Sequence, residues 1–412
     1  MANTTLTVDI IAKEALMILD NNLVMAKQVY RGHEEEFAKS VNGYEVGDTI
    51  SIRRPADFTV RDGATASTQD VVEGKTSIVV NKQKGVDFKF TSTELTLKIE
   101  ELSERVIKPA MVQLANQIDR DCMSLYDDVW NWVGTPGQTI NSYADFAKAP
   151  KRLDQLAVPT DSRSAVLSPD DHWDLLGSQT SLYIQDAAKG AYREGSLGKI
   201  GGVDTYMSQN VPTHTVGPLG GSPLVNGGAQ NVAYDTVKNT YVQNLITDGW
   251  TAAAAARVKT GDVFSIANVY AVNPVTKATQ PYLQQFVVQN DGSSDASGNL
   301  TLSISPPIIT SGAFQTVSAV PADNAPLTFV GTANTGYSQN LSFHKNAFAL
   351  VVVPLVRPAG AVDVSRQSYK GTSVRLIPYY DGTNDVSNYR LDILYGIKTL
   401  DGRLATRLSG SP

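Results

Sequence analysis

"RVKTGDVFSIANVYAVNPVTK", Arg257 to Lys277, reads as the opening of a small β-barrel. A Gly261–Asp262 turn leads into Val263, Phe264, Ile266, Val269, Tyr270 and Val272, a short apolar-rich run. Residues 217–338 around it share this β character. Gly217 to Gly228, "GPLGGSPLVNGG", marks a boundary. "LTLSIS" alternates Leu300, Leu302 and Ile304 against Thr301, Ser303 and Ser305, the period of a strand. The turn-rich "NDGSSDASGN" precedes it and "PYLQQFVV" lies on the other side, which predicts a hairpin. "TAAAAA", Thr251 to Ala256, has no assignable structure. The module should fold by itself.

The flanks are built differently. Val8 to Asp20 carries a helical apolar stripe, and "EEEF" follows at Glu34 to Phe37, so residues 1–45 read as an arm. Residues 46–90 read as a long two-stranded hairpin. "DTISIRR" and "TSIVVNKQKGVDFKF" supply its strands, and the polar "PADFTVRDGATASTQDVVEGK" supplies its tip. Such a hairpin is marginal alone in water and needs something to lie on.

Residues 91–135 predict a spine helix. Thr91 and Glu94 form a T-x-x-E capping box, and Leu95, Ile99, Leu102, Val106, Ala110, Leu114, Ile118, Cys122, Leu125 and Val129 recur at spacings of three or four. A run of about 38 residues would extend about 57 Å, with a kink expected at Pro109. Short helices and strands alternate through residues 136–216, including a strand at Val203 to Met207. Residues 339–412 return as strands in "FALVVVPL", "SVRLIPYY" and "YRLDILYGIKTL".

Composition narrows the function. The chain has 412 residues, 42% hydrophobic and 18% charged, which describes a folded protein of two or three domains. A net charge of −6, with no basic run longer than Arg53–Arg54, argues against gripping nucleic acid as its main task. The single cysteine, Cys122, excludes an intrachain disulfide, and its place on an apolar stripe predicts a buried thiol. The N-terminus shows no charged leader, and no segment is long and apolar enough to span a membrane, so the expected setting is a cytoplasm.

Chemistry is sparse. The four histidines, His33, His172, His214 and His344, belong to no H-E-x-x-H motif. Asp170, Asp171, His172 and Asp174 in "SPDDHWD" have metal-ligand chemistry, yet their spacing suits the charged first turn of a helix. "DGSSD" (Asp291 to Asp295) and "DGTND" (Asp381 to Asp385) lack the Gly and Glu positions of an EF-hand and read as turns. "GSLGKIGG" is not a phosphate loop, and no G-x-S-x-G elbow is present. No enzyme, cofactor or metal site is expected.

The order of arm, hairpin, spine helix, α/β region, inserted β module and returning strands resembles the major capsid (coat) proteins of tailed bacteriophages. "REGSLGKIGGVDTYMSQNVP" (Arg193 to Pro212), "NLSFHKNAFALVVVPL" (Asn340 to Leu355) and "SVRLIPYYDGTNDVSNYRLDILYGIKTL" (from Ser373) resemble segments of those proteins. "RVKTGDVFSIANVYAVNPVTKA" is similar to the inserted domain in coat proteins of short-tailed Salmonella phages. The resemblance implies an α+β tailed-phage capsid fold with peripheral and axial domains and an inserted small β-barrel. It also implies self-assembly into an icosahedral shell of hexamers and pentamers, with a scaffolding protein and a portal as partners and enclosed double-stranded DNA. The expected localisation is the virion. An adhesive β protein of another kind and a cytoplasmic hydrolase using Asp170 are the rival readings.

Two contact regions are expected. Arg53, Arg54, Asp57, Arg61 and Asp62 at the hairpin tip should make polar contacts with a neighbouring subunit. A loop of the inserted domain near Asp235, Lys238 and Asp248 should meet neighbouring capsomers, as the resemblance implies.

Overall fold

Where the sequence carries its clearest helical stripe, the chain forms the helix Val8–Asn22, burying Ile11, Ala12, Ala15, Leu16 and Leu19. The computed structural model describes residues 8–34, 40–41, 44–45, 49–61, 63–66, 68–91, 106–180, 197–358, 364–369 and 371–412. Met1–Ser51, Ser77–Cys122 and Phe348–Lys398 make one compact unit; Ile52–Thr76, Met123–Ala347 and Thr399–Pro412 make a second.

In the first unit, Val8–Asn22 packs on the strands Ser365–Tyr369 and Thr372–Asp381. These lie in a sheet ordered Phe348–Val353, Val386–Thr399, Thr372–Asp381, Ser365–Tyr369, and Lys82–Thr91 pairs antiparallel with Val386–Thr399. The short helix Met25–Gln28 follows the arm helix. Its amino end is held by Asp119, whose carboxylate accepts from the Val24 and Ala26 backbone N–H groups at 2.6 and 2.9 Å. Burial pushes the Asp119 carboxyl up to about 6, against the pull of those bonds. Glu34 accepts twice from the Arg31 guanidinium, and burial pushes it up to about 7.

The spine is shorter in its described part than the periodicity predicts. Residues 92–105, and with them Glu94 of the capping box, lie outside the described residues; Thr91 ends the strand Lys82–Thr91. The helix Lys108–Met123 buries Ala110, Met111, Leu114, Ala115, Ile118 and Cys122, which is the expected stripe. Val106 and Ile107 precede it in a wider π turn next to Pro109, whose ring removes one helical bond. The helix ends at Met123, tightens into the 3₁₀ turn Ser124–Asp128, and Val129 is extended. Asp127 and Asp128 oppose the negative end of the helix dipole, so "SLYDDV" resists continuation. Cys122 is buried, and burial pushes its thiol well up.

Among the described residues the second unit holds two six-stranded sheets. One is mixed, ordered Trp132–Val133, Ala405–Leu408, Asn340–His344, Arg163–Leu167, Val203–Met207, Lys199–Ile200, with the first and fourth pairings parallel. Phe146, Ala149 and Leu175 from the flanking helices pack with Ala165, Leu167 and Val203. The other sheet is antiparallel, ordered Gly221–Val225, Gln243–Trp250, Leu300–Ser305, Thr279–Val288, Val263–Val272, Leu327–Phe329. Its end strands meet through the Leu224↔Pro326 bridge and the Val225 N–H bond to Ala325 O, so it closes into a barrel. Thr213–Thr215 and Gly336–Ser338 pair as its stem.

The opening stretch becomes the strand Val263–Val272. Phe264, Ile266 and Val269 are buried inside with Phe286, Val288 and Leu302. Their spacing departs from a period of two because the register shifts between Ser265 and Tyr270, around Asn268 at φ 63°. Two local expectations change. "LTLSIS" pairs chiefly with Gln243–Trp250 and meets Thr279–Val288 only at its base. "TAAAAA" runs into the strand Ala255–Val258, which pairs with Gly292–Ser294.

Candidate functional site

The hairpin begins with Thr49–Arg53 paired to Lys75–Val79. Beyond that ladder the Arg54 N–H donates to Gly74 O at 2.8 Å, and regular pairing stops. Higher up, the Gln69 side chain takes over the role of a partner strand. Its Oε1 accepts from the Thr59 N–H at 2.9 Å, and its Nε2 donates to Thr59 O at 2.6 Å. Near the tip Arg61 Nη1 donates to Thr65 O and, more closely, to Gly63 O.

The five residues expected at the tip separate into two groups. Arg54 and Asp57 are engaged within the chain: the Arg54 guanidinium lies 5.0 Å over the Tyr241 ring, and Asp57 pairs with Arg403 at 3.6 Å. Arg53 pairs with Glu73 at 3.4 Å across the hairpin, and both side chains are largely solvent-exposed. Arg61 is exposed and bonded to its own loop, and Asp62 lies outside the described residues. Among its exposed side chains, most of them polar, the tip also offers three large apolar ones: Phe58, Val60 and Val71 are 58%, 97% and 64% exposed. The spacing of charges drew attention away from these three, and their isolation in a turn-rich stretch was the available signal.

The expected loop of the inserted domain is not a loop throughout. Asp235 lies in the short helix Tyr234–Val237 and pairs with Lys238 at 2.7 Å, while Asp248 sits half-buried in the strand Gln243–Trp250. The charges between residues 235 and 248 therefore belong to a helical turn and a ladder.

At the root of the barrel is a second polar cluster that the sequence did not reveal. Tyr126 Oη lies 3.2 Å from His214 Nδ1, and His214 Nε2 lies 2.8 Å from Asp262 Oδ1. Hydroxyl, imidazole and carboxylate in line resemble an acyl-transfer triad in order. All three are buried, and Tyr126 is pushed well up by burial first and by Asp127 second. Arg407 completes the cluster. Fully buried, it donates to Val129 O at 2.9 Å and Gly261 O at 2.8 Å and lies over the Tyr126 and Trp132 rings. Burial pulls its guanidinium down to about 10, opposed chiefly by Asp127. Gly261, at φ +93°, has no room for a side chain: a Cβ would come within 2.5 Å of Asp127 Oδ1. This is a joint that fixes the barrel on its stem.

Of the remaining chemical candidates, Asp170 and Asp174 are exposed on the helix Pro169–Thr180, and three others have structural partners. The Asp171 carboxylate accepts from the Ile140 N–H and from Ser168 Oγ and Asn340 Nδ2, while its own N–H donates to Ser168 Oγ at the start of the helix Pro169–Thr180. Asp295 and Asp381 each fold their own turns, accepting from the Ser297 and Thr383 N–H groups. Among the described residues no group of three or more His, Cys, Asp or Glu side chains is arranged to hold a metal ion, and no helix is long and apolar enough to cross a membrane.

Comparison with known proteins places this architecture. The chain is 23% identical over 419 residues to the major capsid protein of Acyrthosiphon pisum secondary endosymbiont phage 1, covering 98% of this chain and 97% of that one. Among solved structures it is similar to a protein of Mycobacterium phage Che8, at 14% identity and TM-score 0.48 over 93% of this chain and 90% of that one. The CUS-3 coat protein I-domain aligns over 27% of this chain and 96% of its own, at 25% identity and TM-score 0.20. The family model described as "P22 coat protein - gene protein 5" matches residues 1–406, as the order of segments had led us to expect, and the chain belongs to that coat protein family.

Proposed function

We propose that this coat protein works by associating with copies of itself into a closed shell of hexamers and pentamers, with a scaffolding protein and a portal as partners. In this reading the shell encloses double-stranded DNA without reading its sequence, which suits a chain of net charge −6. The observation that carries the reading is the hairpin tip. Three apolar side chains, Phe58, Val60 and Val71, stand in water on an arm too thin to have a core of its own. A surface of this kind gains when a neighbouring subunit covers it. Arg53 and Arg61 then form the polar rim of the same contact. Heterologous contacts of this sort close into rings when the rotation permits. Each can be weak while the assembled shell is durable, because many act together.

The test is sedimentation and electron microscopy of the purified chain, alone and with its scaffolding partner. Shell-sized particles are expected from the parent, and Val60→Asp should reduce their yield sharply while leaving the thermal unfolding of the unassembled chain in place. A parent chain that stays monomeric under both conditions sinks the proposal. Full particle yield from Val60→Asp removes the hairpin tip from it.

A further inference from the structure

We infer that the inserted barrel holds the base of the hairpin and thereby sets where its exposed tip is presented. Four contacts, each between the hairpin and the inserted domain of the same chain, carry this. Val72 packs into a small apolar cluster with Tyr234, Val237, Ile309 and Phe314. The Lys75 N–H donates to Asn239 Oδ1 at 3.3 Å. Arg54 lies over the ring of Tyr241. Gly74 abuts the barrel's backbone so closely that a Cβ there would meet Lys238 O at 2.3 Å and the Tyr234 hydroxyl at 2.7 Å. On the opposite limb Asp57 reaches Arg403, which is itself held by Asp401 at 2.7 Å.

Solvent exposure changes at these same residues. Ala56, Asp57 and Val72 are half-buried and Gly74 is buried, whereas every described residue from Phe58 to Val71 is exposed. The clamp therefore ends where the free tip begins. Physically this resolves the weakness of an isolated two-stranded hairpin, which cannot order itself in water. Contacts made inside one chain bear the ordering entropy before any neighbour arrives, so a preorganised tip binds more tightly than a floppy one. Residues 234–241 thus supply the hairpin's seat through Tyr234, Lys238, Asn239 and Tyr241.

The inference deepens the shell reading, since it concerns how the same tip is aimed, and it can be tested without assembly. Spin labels at Val60→Cys and Val275→Cys, both exposed sites, in a Cys122→Ala background report the tip-to-barrel distance in the unassembled full chain. A single narrow distance distribution is expected for the parent, and also for Gly228→Val, where added bulk meets nothing within 4 Å. Gly74→Val and, independently, Val72→Asp should lose the narrow peak while the barrel's unfolding transition persists. A broad distribution in the parent, or a narrow one retained in both Gly74→Val and Val72→Asp, overturns the inference. A parent with a narrow distribution that never forms shells would sink the shell reading and leave this one standing.

Discussion

The barrel and the hairpin use apolar residues in opposite ways. In the barrel, Phe264, Ile266, Phe286, Val288 and Ile304 face one another across a closed sheet and none meets water. In the hairpin, Phe58, Val60 and Val71 have nothing within their own segment to face. The barrel is paired throughout and the hairpin only at its base, and each has a high share of turn residues. The difference is closure. A sheet that meets its own edge buries its side chains and satisfies its backbone, whereas two strands alone have no inside. The first kind of structure stores stability and the second stores an interaction.

The largest way to break this contrast is to remove a ring from the barrel. Phe264→Ala should destabilise the chain by about 3–5 kcal/mol, because a fully buried aromatic leaves a cavity, as read by urea unfolding. A loss below about 1 kcal/mol would mean the core is not packed as described. At the hairpin the same measurement should barely move: Val60→Ala is expected to stay within about 0.5 kcal/mol of the parent. A large loss there would show that the tip contributes to the subunit's own fold.

A pH scan sharpens the comparison from outside both regions. Glu34 and Asp119, in the first unit, sit above their ordinary values of 4.5 and 3.8, at about 7 and about 6. The folded chain therefore binds these protons more tightly than the unfolded one. Their contribution makes stability rise as pH falls through that window and level off below the ordinary values. Glu34→Gln and Asp119→Asn should each flatten the slope of urea midpoint against pH. A midpoint that falls on acidification through the window, or slopes unchanged in both variants, contradicts the assignment.

The smallest expected effect is local. Gln69→Ala removes the side chain that stands in for a strand opposite Thr59, and should speed hydrogen exchange at the Thr59 amide by about tenfold or less while leaving barrel amides alone. Unchanged exchange at Thr59 would show that the bond to Gln69 does not order the tip.

Much was legible without coordinates because it depends on neighbours in the chain. Alternation in "LTLSIS" and the stripe from Ala110 to Cys122 mark which face is buried, since that face follows from the period of the backbone. "VDTYM" became the strand Val203–Met207 for the same reason. The recognisable order of segments led to the family. Less legible was the end of the spine, where Val129 fits the helical period but the chain had already turned at Ser124.

The sequence by itself determined the residues that prefer strand or helix, the absence of a disulfide framework, and the family. Only the tertiary structure decided that Arg54 and Asp57 turn inward, that Gly74 abuts Lys238 and Tyr234, and that Tyr126, His214, Asp262 and Arg407 form one buried joint. The physical reason is separation along the chain. Side chains dozens to hundreds of residues apart meet only once the barrel has closed and its stem has docked, and no local period records that encounter.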